Sequence, residues 1–323
     1  MKKIKLLPLL CVAPFALTGC NKVNKPHFAN KGDKVSTEKF EELLDARLEK
    51  STFITSEKIP SFEVTYSMKT SYESVFKRGK KTVHKSSSFS RSKSSTKVDT
   101  KNNVAEEKQN YRGVVKTKDK EGKSREVYKS KEHIFYQEAS KDGKKYLAQV
   151  NANKKEYKLS GTVGREFSIE DAIQSYAQEE LTRFSWFAFG FIENNYDDED
   201  ATCYNKKDVF TVELKEEDNY TETGVSEEDI VFTEKSVAKS TYQVQFLKND
   251  GIKFVMYDEY TFDREFKQAF EEEDSEGNSV NATKGDTHKY TTKSSYVIEL
   301  KKKDVKLKAQ KISKYALMNE DIK

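Results

Sequence analysis

The sequence predicts an α+β fold: a curved antiparallel sheet, a half-barrel, with an N-terminal helix and a long central helix covering its concave face. Two observations carry that expectation. Segment after segment alternates apolar and polar residues, the mark of strands with one covered and one wet face. Between two groups of such strands lies one long stretch with helical spacing, and helices are the natural cover for an apolar sheet face. A sheet of about ten long strands must twist and curl, which gives the half-barrel.

The elements follow in order. Phe40, Leu43, Leu44 and Leu48 share one face of a helix near Thr37–Lys50, with Ser36 or Thr37 able to cap it. From Phe62 to Lys77 the period switches to two, with Phe62, Val64, Tyr66, Met68, Tyr72 and Phe76 on one side. Residues 82–98 are rich in Ser and Lys and fit either a polar partner strand or a loop. Strands follow near Tyr111–Thr117 and Ser124–Ser130. His133–Ala139 and Lys144–Val150 flank Asp142-Gly143, a strong hairpin signal, and a short strand fits Glu156–Ser160.

Ser168 and Asp171 then suit the N-terminus of a helix reaching Asn194, on which Ile169, Ala172, Ile173, Tyr176, Ala177 and Leu181 begin one stripe. Near its end Trp186, Phe187, Phe189 and Phe191 wrap most of the circumference, which implies insertion beneath another element. Strands resume at Val209–Leu214, Ile230–Glu234, Thr241–Leu247 and Ile252–Phe262. An alternating strand with Tyr290, Tyr296, Ile298 and Leu300 closes the sheet.

The start of the chain has its own logic. Met1-Lys2-Lys3-Ile4-Lys5 is basic and the run Leu6 to Leu17 is apolar, the plan of a secretory signal. At about a dozen residues, interrupted by Pro8 and Pro14, the run is short of the roughly 20 needed to span a bilayer. Leu17-Thr18-Gly19-Cys20 resembles the lipobox of bacterial lipoproteins at all four positions. The resemblance implies a diacylglyceryl group on Cys20 and cleavage before it, and two acyl chains suffice for stable attachment. The expected organisation is a signal peptide over 1–19, a flexible tether over 20–36 and a single domain over 37–323, held at the extracytoplasmic face of the cell membrane.

By element order alone, the mature chain resembles LolA-type lipoprotein carriers and the mycobacterial LppX and LprG lipoproteins. That likeness implies acyl chains held between sheet and helix. No motif of the group is present, so no residue role is carried over.

Composition sets limits. Of 323 residues, 35% are charged, but 12% are aromatic, which favours a folded domain over a disordered chain. Net charge is +4 with three lysines in the signal, so the mature chain is near neutral and poorly suited to nucleic acid. The charge is uneven: residues 77–131 carry an excess of about twelve positive charges and 166–236 about fifteen negative. Two solvated surfaces, or a basic face for anionic lipid or envelope polymer, both fit.

The search for chemistry is brief. His27, His84, His133 and His288 lie far apart, and no zinc, P-loop or nucleophile-elbow motif occurs. Asp274-Ser275-Glu276-Gly277-Asn278 alternates oxygen ligands but lacks the glycine and the terminal carboxylate of a calcium loop. Cys203 remains the lone mature cysteine besides Cys20 and reads as a bland side chain. The chain is therefore read as a non-enzyme without cofactor or metal. Trp186, Phe187, Phe189 and Phe191 are either core or the floor of an apolar pocket. The partners expected are the membrane through Cys20 and a hydrophobic ligand. The alternative is a surface interaction lipoprotein with no small ligand.

Overall fold

In the computed structural model, the structure describes residues 23–51, 58–118, 122–163, 168–224, 230–273 and 279–318. The signal, the lipobox with Cys20 and the acidic loop 274–278 lie outside the described residues.

The chain begins with a short strand β1 (Asp33–Val35) and helix α1 (Thr37–Leu48). A meander of six strands follows: β2 (Phe62–Arg78), β3 (Lys81–Asp99), β4 (Val104–Lys118), β5 (Lys123–Lys141), β6 (Lys144–Asn151) and β7 (Glu156–Val163). Helices α2 (Ile169–Ala188) and α3 (Gly190–Glu193) lead to a second meander. Its strands are β8 (Ala201–Lys206), β9 (Val209–Thr223), β10 (Ile230–Phe246), β11 (Ile252–Phe266) and β14 (Asp286–Lys302). A small hairpin of β12 (Phe270–Glu273) and β13 (Ser279–Ala282) interrupts it. A last strand, β15 (Ala316–Leu317), pairs in parallel with β7.

The two meanders form one 13-stranded sheet in the order β1-β8-β9-β10-β11-β14-β2-β3-β4-β5-β6-β7-β15. Every ladder but the last is antiparallel, and the seam between the meanders is the β14·β2 ladder, from Lys302↔Phe62 to Asp286↔Arg78. The expectation of an α+β half-barrel is corrected here: strand makes up 61% of the structure and helix 16%, in one 13-stranded sheet. The fold is predominantly β, and the helices are an addition to one face. Strands run through stretches the sequence pattern splits. Ser124–Ser130 and His133–Ala139 are one strand, β5, and Ile230–Glu234 and Thr241–Leu247 are both β10. The undecided residues 82–98 lie in β3, whose backbone finds partners on both sides although few of its side chains are apolar.

Local chemistry explains the elements. Ser168 and Asp171 form a reciprocal capping box at the start of α2, with Asp171 N–H donating to Ser168 Oγ at 3.1 Å. Ser36 caps α1. Asp142 and Gly143 both take positive φ, as a tight hairpin between β5 and β6 requires. The predicted single helix to Asn194 is broken at Phe189, between Ala188 and Gly190.

The main core lies on the helix-bearing face. Phe40 and Leu44 of α1 and Ile173, Ala177, Phe184 and Ile192 of α2 and α3 meet Phe62, Val64, Phe210, Val244, Phe254 and Leu300 of the sheet. Burying each large side chain contributes about 1.5–3 kcal/mol.

The opposite face is covered at one end by the chain's own termini. The stretch expected to run free as a tether is held from Val23, which is buried, and Gly32 enters β1 at φ +80 against the Asn205 carbonyl. Gln243, fully buried, accepts from Ala29 N–H at 2.8 Å and donates to Ala29 O at 3.1 Å. Gln137 treats the other terminus the same way: it donates to Gln310 O at 3.0 Å and accepts from Gln310 N–H at 2.7 Å. Two buried amides thus act as extra peptide groups, each clasping one terminal segment. Replacing Gln243 by Ala leaves the Ala29 peptide unpaired and is expected to cost about 1–3 kcal/mol. Denaturant titration reads the cost, and amide exchange is expected to speed up at Ala29 but not at Gln310.

Candidate functional site

The helix-bearing face is not covered evenly. Beneath the first turns of α2 the core is filled, but where the helix approaches its end a half-open cavity of about 180 Å³ remains. Strands contribute Tyr66 and Met68 from β2, Ser92 and Ser94 from β3, and Tyr296 and Ile298 from β14; α2 contributes Arg183 and Phe187. Register explains this meeting. Met68 faces Tyr296 on one side and Ser92 on the other, so the β2–β3 hairpin and the distant strand β14 present one wall.

The four aromatics singled out from the sequence separate into different roles. Phe189 is buried core, stacked on Phe246 and edge-on to Phe184. Phe191 is half-buried and stacks on Tyr242 and Phe254 at about 6 Å. Phe187 lines the cavity. Trp186 is 59% exposed and sits edge-on to Phe187, with ring centroids 4.9 Å apart. The helix end is therefore not inserted all round: Trp186 faces outward beside Phe187.

A polar cluster lies under α2 beside the cavity. Glu180, almost fully buried, pairs with Arg183 at 2.7 Å. Burial raises the Glu180 carboxyl above its ordinary range, with Arg183 and Thr96 opposing. Glu107 is raised by burial as well, again against the pull of Arg183. Tyr136 stacks against Tyr176 at 4.5 Å, and burial pushes its hydroxyl up to about 12. The Tyr66 hydroxyl is buried without a hydrogen-bond partner among the described residues, and burial raises its pKa. An orphan of this type is uncommon in folded proteins.

Past the cavity, Asp258 extends the same face. Burial pushes its carboxyl up to about 7, and hydrogen bonds from Ser240 and Tyr242 only partly offset that. Cys203 is buried, donates to Tyr196 O at 3.5 Å, and is raised by burial to about 11, which makes it a poor nucleophile. Asp198, Asp200 and Glu216 bring carboxylate oxygens within 4.8 Å of one another, and burial with the other two carboxylates raises Glu216. That cluster is mostly exposed, like many acidic strand ends.

Of the four aromatics named from the sequence only Phe187 lines the cavity; its other lining residues, Tyr66, Ser67, Met68, Ser92, Ser94, Arg183, Tyr296 and Ile298, were not singled out as such. Alternation showed that Tyr66 and Tyr296 face inward, but nothing local to either strand reveals that β2 and β14 are neighbours.

No family model matches the chain, and no curated protein matches it. Among solved structures, the outer membrane protease OmpT from Escherichia coli is 7% identical, covering 76% of this chain and 97% of its own, at a TM-score of 0.23. The TodX monoaromatic hydrocarbon channel is 7% identical over 80% of this chain and 94% of its own, at 0.25. OccK7 from Pseudomonas aeruginosa is 6% identical over 75% and 98%, at 0.15. Likenesses this weak share an abundance of strands and assign no role.

Asp258 makes stability depend on pH. Its folded pKa, about 7, lies above the ordinary 3.8, so between those values the folded state holds a proton that the unfolded state has lost. Stability is therefore expected to fall as pH rises from about 4 to 7, and Asp258→Asn is expected to remove that component. Thermal unfolding of both proteins across this range checks it; parallel curves would refute the assignment.

Proposed function

We propose that this chain is a membrane-anchored extracytoplasmic lipoprotein that binds a small ligand with an apolar body in the groove at the rim of α2. The cavity is the observation that carries the reading: Tyr66, Met68, Phe187, Tyr296 and Ile298 form its apolar walls, with Ser67, Ser92, Ser94 and Arg183 as polar points. A few polar groups among apolar ones is the usual composition of a ligand site. At about 180 Å³ it is smaller than the roughly 300–1,000 Å³ of sites for drug-sized molecules, so a single ring or a short chain fits better than a whole lipid. The lining contains no histidine, cysteine or carboxylate, which suits retention of a ligand rather than its turnover. Arg183, half-exposed in the lining, supports a ligand with a polar end.

Anchoring is the other half of the proposal and rests on Leu17-Thr18-Gly19-Cys20. Mass spectrometry of the membrane fraction is expected to find the chain beginning at a diacylated Cys20. Cys20→Ala is expected to leave the chain uncut and unlipidated; an unmodified Cys20 in the parent protein would sink this half.

Trp186 is the single tryptophan and packs edge-on to Phe187 of the groove wall, so its fluorescence reports on that end of the groove. Titration with anilinonaphthalene sulfonate, an apolar ring system with one anionic group, is expected to quench Trp186 with one-site saturation. Phe187→Asp is expected to weaken that binding at least about tenfold, since a carboxylate in an apolar wall loses hydration. Non-saturating quenching, or no effect of the substitution, would leave the groove without a ligand role.

A further inference from the structure

We propose that the face of β2–β5 opposite the helices, beyond the end covered by the terminal segments, docks on an anionic bilayer surface. Val64 and Tyr66 face the helices, so the odd-numbered side chains of β2 point the other way. Register then aligns Lys69 with Arg91, Arg91 with Arg112 and Arg112 with Lys129, one cation on each of four neighbouring strands. Two residues along, the row through Ser67 adds Lys93 and Lys131. All six cations are exposed, and none of them pairs with a carboxylate among the described residues.

Like charges directly opposite one another across strands are destabilising. The acidic groups that share this face do not answer the rows. Glu73 is taken by Lys85, Glu63 by Lys97 and Lys303, and Glu106 by Lys97, Lys108 and His133. On the far side of the cationic row lies an apolar one, Phe89–Val114–Val127, in which Val114 is buried, Phe89 half-buried and Val127 45% exposed. Neighbouring strands lie about 4.8 Å apart, so the four-cation row spans about 15 Å. A row of exposed cations on long side chains matches a headgroup layer, where the charged tips meet phosphates.

The amino-terminal end of the described chain points to the same occupant. Gln243, which clasps Ala29, falls in the same register row as Lys93 and Lys131, through Val255, Val297 and Ser67. Ala29 therefore lies over the same face of the sheet, four strands away from Lys93. Cys20 stands three residues before the buried Val23, a reach of about 11 Å at most. A lipid on Cys20 would enter the bilayer beside this face and leave the groove of α2 pointing away from it. This second line rests on the lipoprotein reading; the cationic rows do not.

The test uses the chain from Asn21 onward, which contains every described element and carries no lipid. Co-sedimentation with vesicles of phosphatidylcholine containing 30% phosphatidylglycerol is expected, with little on phosphatidylcholine alone. Each cation near such a surface contributes about fivefold to partitioning, so Arg112→Gln is expected to weaken it about fivefold. The triple reversal Arg91→Glu, Arg112→Glu, Lys129→Glu is expected to weaken it at least about a hundredfold, with circular dichroism unchanged. If the triple variant misfolds, the single one carries the test. Equal sedimentation on both vesicles, or indifference to Arg112→Gln, overturns the proposal. So does full displacement by soluble polyphosphate at equal charge, which would make a polymer the occupant. Because the probe has no anchor, failure here leaves the lipidation of Cys20 standing, and an unmodified Cys20 leaves this binding standing.

Discussion

Everything in this molecule depends on one ladder. β2 and β14 pair along their whole lengths, although Arg78 and Asp286 at one end of that pairing are 208 residues apart in sequence. Each meander on its own has short-range hairpins but an open edge. Joined, they make a continuous sheet wide enough for α2 to lie across its middle and for α1 to close one side. The ladder also creates the groove, because Met68 and Tyr296 become neighbours only through it. Long-range pairing of this kind bears loop-closure entropy before contacts repay it, so topology of this class folds slowly.

A second constraint is polar satisfaction on the face without helices. A wide sheet has two faces, and among the described residues no helical layer covers the second. It covers one end of the bare face with irregular terminal segments, whose peptide groups would be orphans against side chains. Gln137 and Gln243 solve that by presenting a side-chain amide, the chemical twin of a backbone peptide, at the point of contact. Asp99 performs a related task where the carboxyl-terminal segment begins, accepting from Leu307 N–H while holding the turn after β3.

How much of this was legible beforehand differs by level. Period-two runs such as Phe62–Phe76 and the turn at Asp142-Gly143 declare themselves, because the forces that shape them act within a few residues. The capping box at Ser168 is equally local. The fold class was misjudged because strands were credited only where apolar residues alternate. β3 shows the error: its Ser and Lys side chains contribute little, yet two neighbours hold its backbone. The central part of β10, around Lys235–Lys239, hid for the same reason. The site was half legible. Trp186 and Phe187 stand out in the helix, while Tyr66, Ser92 and Tyr296 acquire meaning only from a register that no local pattern encodes. The uneven charge was visible as a run of residues, but its concentration on one face required the pairing of four strands.

The seam between β2 and β14 also sets an order of events during synthesis. β2 is made early and is flanked on one side by β3 as soon as that strand appears. Its other edge is the place reserved for β14, which begins 208 residues after β2 ends. Until β14 is made, a 17-residue edge with an apolar face stands open. Such an edge is a template for any passing strand. The same residues that complete the sheet therefore define a window of vulnerability, and a chain interrupted anywhere before Asp286 would be left with that edge exposed.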